Sequence, residues 1–258
     1  MTWTTLLRSN VGPLAGMTSG VGPLVILIHG VGLRAEAWGA QIDALSHTCR
    51  VIAVDMPGHG VSNALAPWAK LADFTDTFAA ALNEPAVVIG HSFGAMIALD
   101  LAIRHPKLVN GVAALNAIYR RDTAAQSAVM ARANSLDGKT VADPTETLDR
   151  WFGTVSSPQR EACDNWLRAT DPSGYRNAYH VFATQNGPTD SDLAAILCPT
   201  LFLTGAQEPN STPAMSQQMA ALVPNGRAEI IEDAAHMLPM THAAQVNEIL
   251  TDFVRACS

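Results

Sequence analysis

The most constraining stretch of the chain is Val87 to Ala102, VVIGHSFGAMIALDLA. A run of apolar residues meets Gly-His-Ser-Phe-Gly, and apolar residues at helical spacing resume at once. A strand that passes into a helix over so few residues must turn sharply. The residue at the apex is then held in a strained backbone conformation with its side chain thrust outward. Gly90 and Gly94 remove the side chains that would collide with the strand and helix packed beside the turn. The pattern therefore asks for a buried strand followed directly by a packed helix, with the Ser92 hydroxyl presented at the top of a sheet.

The rest of the chain fits that demand. Short apolar runs at 24–29, 50–55, 86–91, 111–116, 200–205 and 227–232 read as strands. All but the last are nearly continuous, as expected of strands covered on both faces. Helical spacing is found near 35–47, 70–83, 93–105, 213–223 and 242–256, with Pro106 ending the third of these and Pro213 suiting the first turn of the fourth. Such alternation predicts an α/β fold built on a mostly parallel sheet. The first 20 residues have room for one or two short edge strands. From 118 to 197 the rhythm breaks into irregular helical spacing with no strand, too long for an ordinary connection. This predicts a core domain of 1–117 and 198–258, with 118–197 as a helical cap.

Composition narrows the partners. Hydrophobic residues make up 48% of the 258 and charged ones 15%, as in a compact globular protein. The net charge of −7 is spread along the chain with no basic run, which argues against nucleic acid. The apolar run PLVILIHG is too short to span a bilayer, and no signal-peptide pattern precedes it, so a cytoplasmic protein without membrane attachment is expected. Cys49, Cys163, Cys198 and Cys257 stand far apart, which favours free thiols over disulfides or a metal site. No metal or other cofactor is expected.

A serine hydroxyl is a poor nucleophile at neutral pH and needs a base within hydrogen-bond reach. Among eight histidines, His29 and His91 sit at strand ends, His59 lies in the turn DMPGHG, and His47, His105, His180 and His242 have helical or loop surroundings. His236, in EIIEDAAHMLPM, falls in a loop just past the last strand. Parallel sheets gather their functional loops at that edge, so Ser92 and His236 can meet there. The imidazole in turn needs a carboxylate to orient it and balance its charge. TLFLTGAQEPNSTP offers Glu208 at the same edge, in the chain order Ser, acid, His. Asp122 and Asp233 are its rivals, while Asn116 could orient a ring but not carry the charge. An oxyanion formed by attack on a carbonyl would be met by the N–H of Phe93, which opens a helix, and the N–H of Val31 in HGVGLRAEAW.

With these pieces in place the chain resembles an α/β-hydrolase over almost its whole length, through HGVGLRAEAW, DMPGHGVS, GHSFG, PTLFLTGAQEPNSTP and DAAHMLP. It is most similar to small bacterial enol-lactonases, esterases and meta-cleavage hydrolases. The resemblance implies an eight-stranded, mostly parallel sheet, a cap after strand six, and a triad of Ser92, Glu208 and His236. It departs from the family pattern at 208, where Asp is usual. It also implies a small-molecule ester or lactone as substrate, with C–C hydrolysis of a vinylogous diketone as the alternative and a non-catalytic ligand binder as the third. Trp151, Phe152, Trp166, Tyr179, Met237 and Leu238 are candidates for an apolar pocket, although large apolar residues at helical spacing are more often plain core.

Overall fold

The computed structural model describes residue 4 and residues 6–257. Eight strands form one sheet: β1 (Arg8–Val11), β2 (Leu14–Ser19), β3 (Leu24–Ile28), β4 (Arg50–Asp55), β5 (Ala86–His91), β6 (Val109–Leu115), β7 (Thr200–Gly205) and β8 (Gly226–Ile231). Their order across the sheet is β1-β2-β4-β3-β5-β6-β7-β8. The first two pair antiparallel, and every pairing from β4 to β8 is parallel. The edge strands expected in the first 20 residues are thus a hairpin, turned at Gly12 with φ +57°.

Helices cover both faces. They are α1 (Gly39–Leu45), α2 (Leu71–Ala81), α3 (Phe93–Arg104), α4 (Thr123–Ser135), α5 (Thr145–Phe152), α6 (Pro158–Ala169), α7 (Pro172–Thr184), α8 (Asp190–Ala194), α9 (Pro213–Leu222), α10 (Leu238–Thr241) and α11 (Ala243–Ala256). The period of two along each strand sorts its side chains between two cores. From β3, Val25 and Leu27 join Trp38, Ile42, Leu250 and Phe253 on the α1/α11 face. Leu24, Ile26 and Ile28 join Phe74, Phe78, Ile97 and Met219 on the α2/α3/α9 face. All five residues of β3 and all six of β5 and β7 are buried, which is why these strands read as unbroken apolar runs.

Two boundaries differ from expectation. The helix expected over 35–47 is split into a 3₁₀ turn at Ala35–Trp38 and α1. The helix expected at 242–256 is preceded by the separate short α10, which has Pro239 in its first turn. Between β6 and β7 the described residues form α4 to α8 and no strand. Of these, α7 and α8 send Val181 and Leu193 into the core on the α2/α3/α9 face.

Candidate active site

Ser92 stands between β5 and α3 with φ 57° and ψ −116°, a left-handed conformation a serine adopts only under constraint. Its backbone N–H donates to the Leu115 carbonyl on β6 at 2.8 Å, and its own carbonyl accepts from Ala95 at 3.0 Å. The flanking glycines are required by space. A Cβ at Gly90 would come within 2.1 Å of the Gly94 carbonyl oxygen, and one at Gly94 within 2.2 Å of the Ile28 oxygen.

Loops from β7 and β8 bring the other two residues together. The N–H of Ala206 donates to Ile231 and that of Gln207 to Ala234, both at 2.9 Å. This zips the two loops side by side, and a Cβ at Gly205 would meet the Ala234 oxygen at 2.1 Å. Glu208 Oε2 then lies 2.6 Å from His236 Nδ1. The other carboxylate oxygen accepts from the N–H of Asn210 at 2.7 Å and of Ser211 at 3.3 Å. Burial pushes the Glu208 carboxyl up, but the adjacent His236 and the two loop N–H groups outweigh it and hold the group below its ordinary value. It stays ionised. The rivals are occupied elsewhere: Asp122 caps α4 by accepting from Ala125, and Asp233 is exposed in the turn after β8.

The His236 ring is held from three sides. Trp151 stacks on it, with centroids 5.3 Å apart and planes 21° from parallel, and His91 lies against it at 4.9 Å. Its backbone carbonyl accepts from Asn116 Nδ2 and from His91 Nε2, each at 2.7 Å. Donation by Nε2 fixes the neutral tautomer of His91. Burial and then the neighbouring His236 push that imidazole down to about 3, so it carries no charge near neutrality.

Ser92, His236, Asn116 and Val31 line one cavity of about 200 Å³. No hydrogen bond joins the Ser92 hydroxyl to the His236 ring in this structure. The Val31 N–H has no acceptor among the described residues, and the Phe93 N–H, first in α3, has no intrahelical one. The Phe93 side chain is fully buried against Phe74. Two buried histidines hold the Val31 loop. His59 Nε2 accepts from Gly32 N–H at 2.9 Å, and His29 Nδ1–H donates to the Gly30 carbonyl at 2.8 Å while its Nε2 accepts from Met56 N–H. Asp55 serves the same loop through Ala35 N–H and Arg8. The turn DMPGHG is thus a brace for this loop.

Of the six pocket candidates, Trp151 and Tyr179 line the cavity. Phe152 and Trp166 pack on a cluster around Leu148, Cys163 and Met237, and Leu238 belongs to the α1/α11 core, so these four lie in the packing behind the cavity. Sequence reasoning passed over Arg121, Arg132 and Arg150, which also line it. A charged residue in a helical or loop region reads by default as solvated. The four cysteines are unpaired.

A profile of the alpha/beta hydrolase family matches residues 25–249. The (E)-2-((N-methylformamido)methylene)succinate hydrolase of Acinetobacter baylyi is 38% identical over 252 residues, covering 95% of each chain. A pimeloyl-[acyl-carrier protein] methyl ester esterase of Neisseria meningitidis is 29% identical and covers 89% of this chain and 93% of its own. Among solved structures, a thermophilic esterase of Thermogutta terrifontis superposes with a TM-score of 0.86 at 23% identity, covering 97% of this chain and 99% of its own. The elbow at Ser92, the strand order and the reach of these matches lead to one placement: the chain belongs to the alpha/beta hydrolase family.

Proposed function

We propose that this hydrolase is a cofactor-independent serine enzyme that cleaves a carboxylic ester or lactone through an acyl-enzyme on Ser92. The observation that carries the reading is the buried Glu208–His236 pair, 2.6 Å apart, with its imidazole in the same cavity as a serine held on a strained elbow. His236 Nε2 takes the Ser92 proton as Oγ attacks the substrate carbonyl, and Glu208 balances the imidazolium. The N–H groups of Val31 and Phe93 receive the oxyanion. Collapse expels the alkoxide, which takes the proton from His236. Water then attacks the acyl carbon, with His236 again as base, and releases the acid and free Ser92. In this scheme 118–197 is the cap that closes the cavity over the core domain of 1–117 and 198–258.

The esterase relative from Neisseria meningitidis supports ester chemistry. The relative from Acinetobacter baylyi favours a second reading, because its named substrate carries a formamide on a methylene-succinate in place of an ester. The same three residues would then serve hydrolysis of a conjugated substrate. A fluorophosphonate probe followed by peptide mass spectrometry tests the shared core of both readings. We expect a single adduct on Ser92, lost in Ser92→Ala. An unlabelled Ser92 would make the protein a ligand binder. A panel of p-nitrophenyl esters, lactones and N-formyl enamines then separates the two.

A further inference from the structure

Three arginines line the cavity that holds Ser92, and no aspartate or glutamate does. This is unusual placement in a chain of net charge −7. Three other arginines of the same helical region are paired, Arg120 with Asp190, Arg160 with Asp149 and Arg168 with Asp164, while Arg176 lies over the Trp68 ring. Arg121, Arg132 and Arg150 have no carboxylate partner among the described residues. Arg132 donates to Thr147 Oγ1 at 2.9 Å and to Tyr175 at 3.4 Å, but its buried Nε–H has no acceptor among the described residues. Glu146 acts on it through space without forming an ion pair.

Arg121 is 8% exposed. It contacts only neutral acceptors, the carbonyls of Gln185 and Phe182 and the Gln126 amide. Burial pushes its guanidinium down to about 10, which still leaves it charged at neutral pH. Arg121 lies over the Phe182 ring at 4.5 Å and Arg132 over the Tyr179 ring at 5.4 Å, and those two rings are themselves 5.7 Å apart. Arg150 is one helical turn from Thr147, the Arg132 partner, and is exposed at the cavity mouth.

A buried cation without a counter-ion costs stability unless a ligand supplies the charge, and a guanidinium fork matches a carboxylate bidentately. We propose that Arg132, together with Arg121, makes the cavity a site for acyl substrates that carry carboxylate groups, with Arg150 drawing them in at the mouth. Arg132 is the specificity-determining residue, through its Nη1 group, which makes no hydrogen bond among the described residues. The chemistry at the scissile carbonyl is that of the reading above, on which this inference rests. Two cations on adjoining rings leave a place for a second carboxylate.

The test compares two esters that differ only in a terminal group, mono-p-nitrophenyl glutarate and p-nitrophenyl valerate, and measures glutarate binding by calorimetry. We expect the wild type to favour the glutarate half-ester and to bind glutarate. Arg132→Met should lower the kcat/KM ratio of the two esters by at least about tenfold and abolish glutarate binding, with Arg132→Lys intermediate. Arg121 also caps the end of α7, so Arg121→Lys, which keeps the charge, is its better probe and should lower the same ratio. A wild type that shows no preference for the half-ester and does not bind glutarate, or an Arg132→Met variant with an unchanged ratio, overturns the proposal. Glutarate binding needs no covalent step. Its loss alongside a labelled Ser92 would sink this inference alone, whereas an unlabelled Ser92 that still binds glutarate would sink only the hydrolase reading.

Discussion

Asn116 Nδ2 donates to the backbone carbonyl of His236 at 2.7 Å, not to its ring. The side chain at the end of β6 therefore fixes the loop, and the ring nitrogen is left to Glu208 from the end of β7.

That division of labour sets the first expectation. Glu208→Gln leaves an imidazolium uncompensated and can select the wrong tautomer, so kcat should fall by at least about 10². Glu208→Asp keeps the charge at shorter reach and should be intermediate. Asp122→Asn and Asp233→Asn should stay near the wild type. Near-normal kcat in Glu208→Gln would remove it from the mechanism.

Ser92→Ala should abolish turnover and leave the fold intact. The hydroxyl makes no hydrogen bond among the described residues, so stability should change by less than about 1 kcal/mol. Retention of a tenth of the activity would remove Ser92 from the chemistry.

The elbow glycines should behave oppositely. At Gly90 an added methyl meets the Gly94 oxygen on α3 at 2.1 Å, and at Gly94 one meets the Ile28 oxygen on β3 at 2.2 Å; backbone in a buried helix or strand cannot step aside. Gly90→Ala and Gly94→Ala should each destabilise by about 3 kcal/mol or more, read by denaturant titration or by loss of soluble protein. A variant as stable as the wild type would show that the turn has slack.

Acid should weaken the fold through the braced loop. Burial, followed by the charge of His29, lowers His59 from 6.5 to about 3. The unfolded chain therefore binds a proton across that interval that the folded protein refuses. The stabilisation is whole above about 6.5 and drains away as pH falls towards about 3, at up to about 1.4 kcal/mol per pH unit. His59→Gln should remove one proton's worth of that slope. An unchanged slope in the variant would place the uptake elsewhere.

How much of this was legible in the sequence follows from burial. β3, β5 and β7 are enclosed on both faces and so wrote themselves as apolar runs. Ser92 was marked by steric need, and Glu208 and His236 by their place past strands that share an edge. The helices of 118–197 were not resolved one by one, because their apolar residues divide between the cavity, where Tyr179 lies, and the packing behind it, where Trp166 lies. α4, TAAQSAVMARANS, has no apolar stripe at all, so nothing local tells Arg132 from a solvated arginine. Its meaning lies in contacts with Thr147 and Tyr175, which are 15 and 43 residues away.

Trp151 belongs to the helical region between β6 and β7, yet it roofs the imidazole of the sheet edge. A stacked indole fixes the plane in which the imidazole lies, so whatever shifts α5 also shifts where Nε2 points. Changes in α5 that remodel the cavity for a new substrate would therefore also re-aim the imidazole. In a lineage of such proteins, substrate range and turnover rate would drift together.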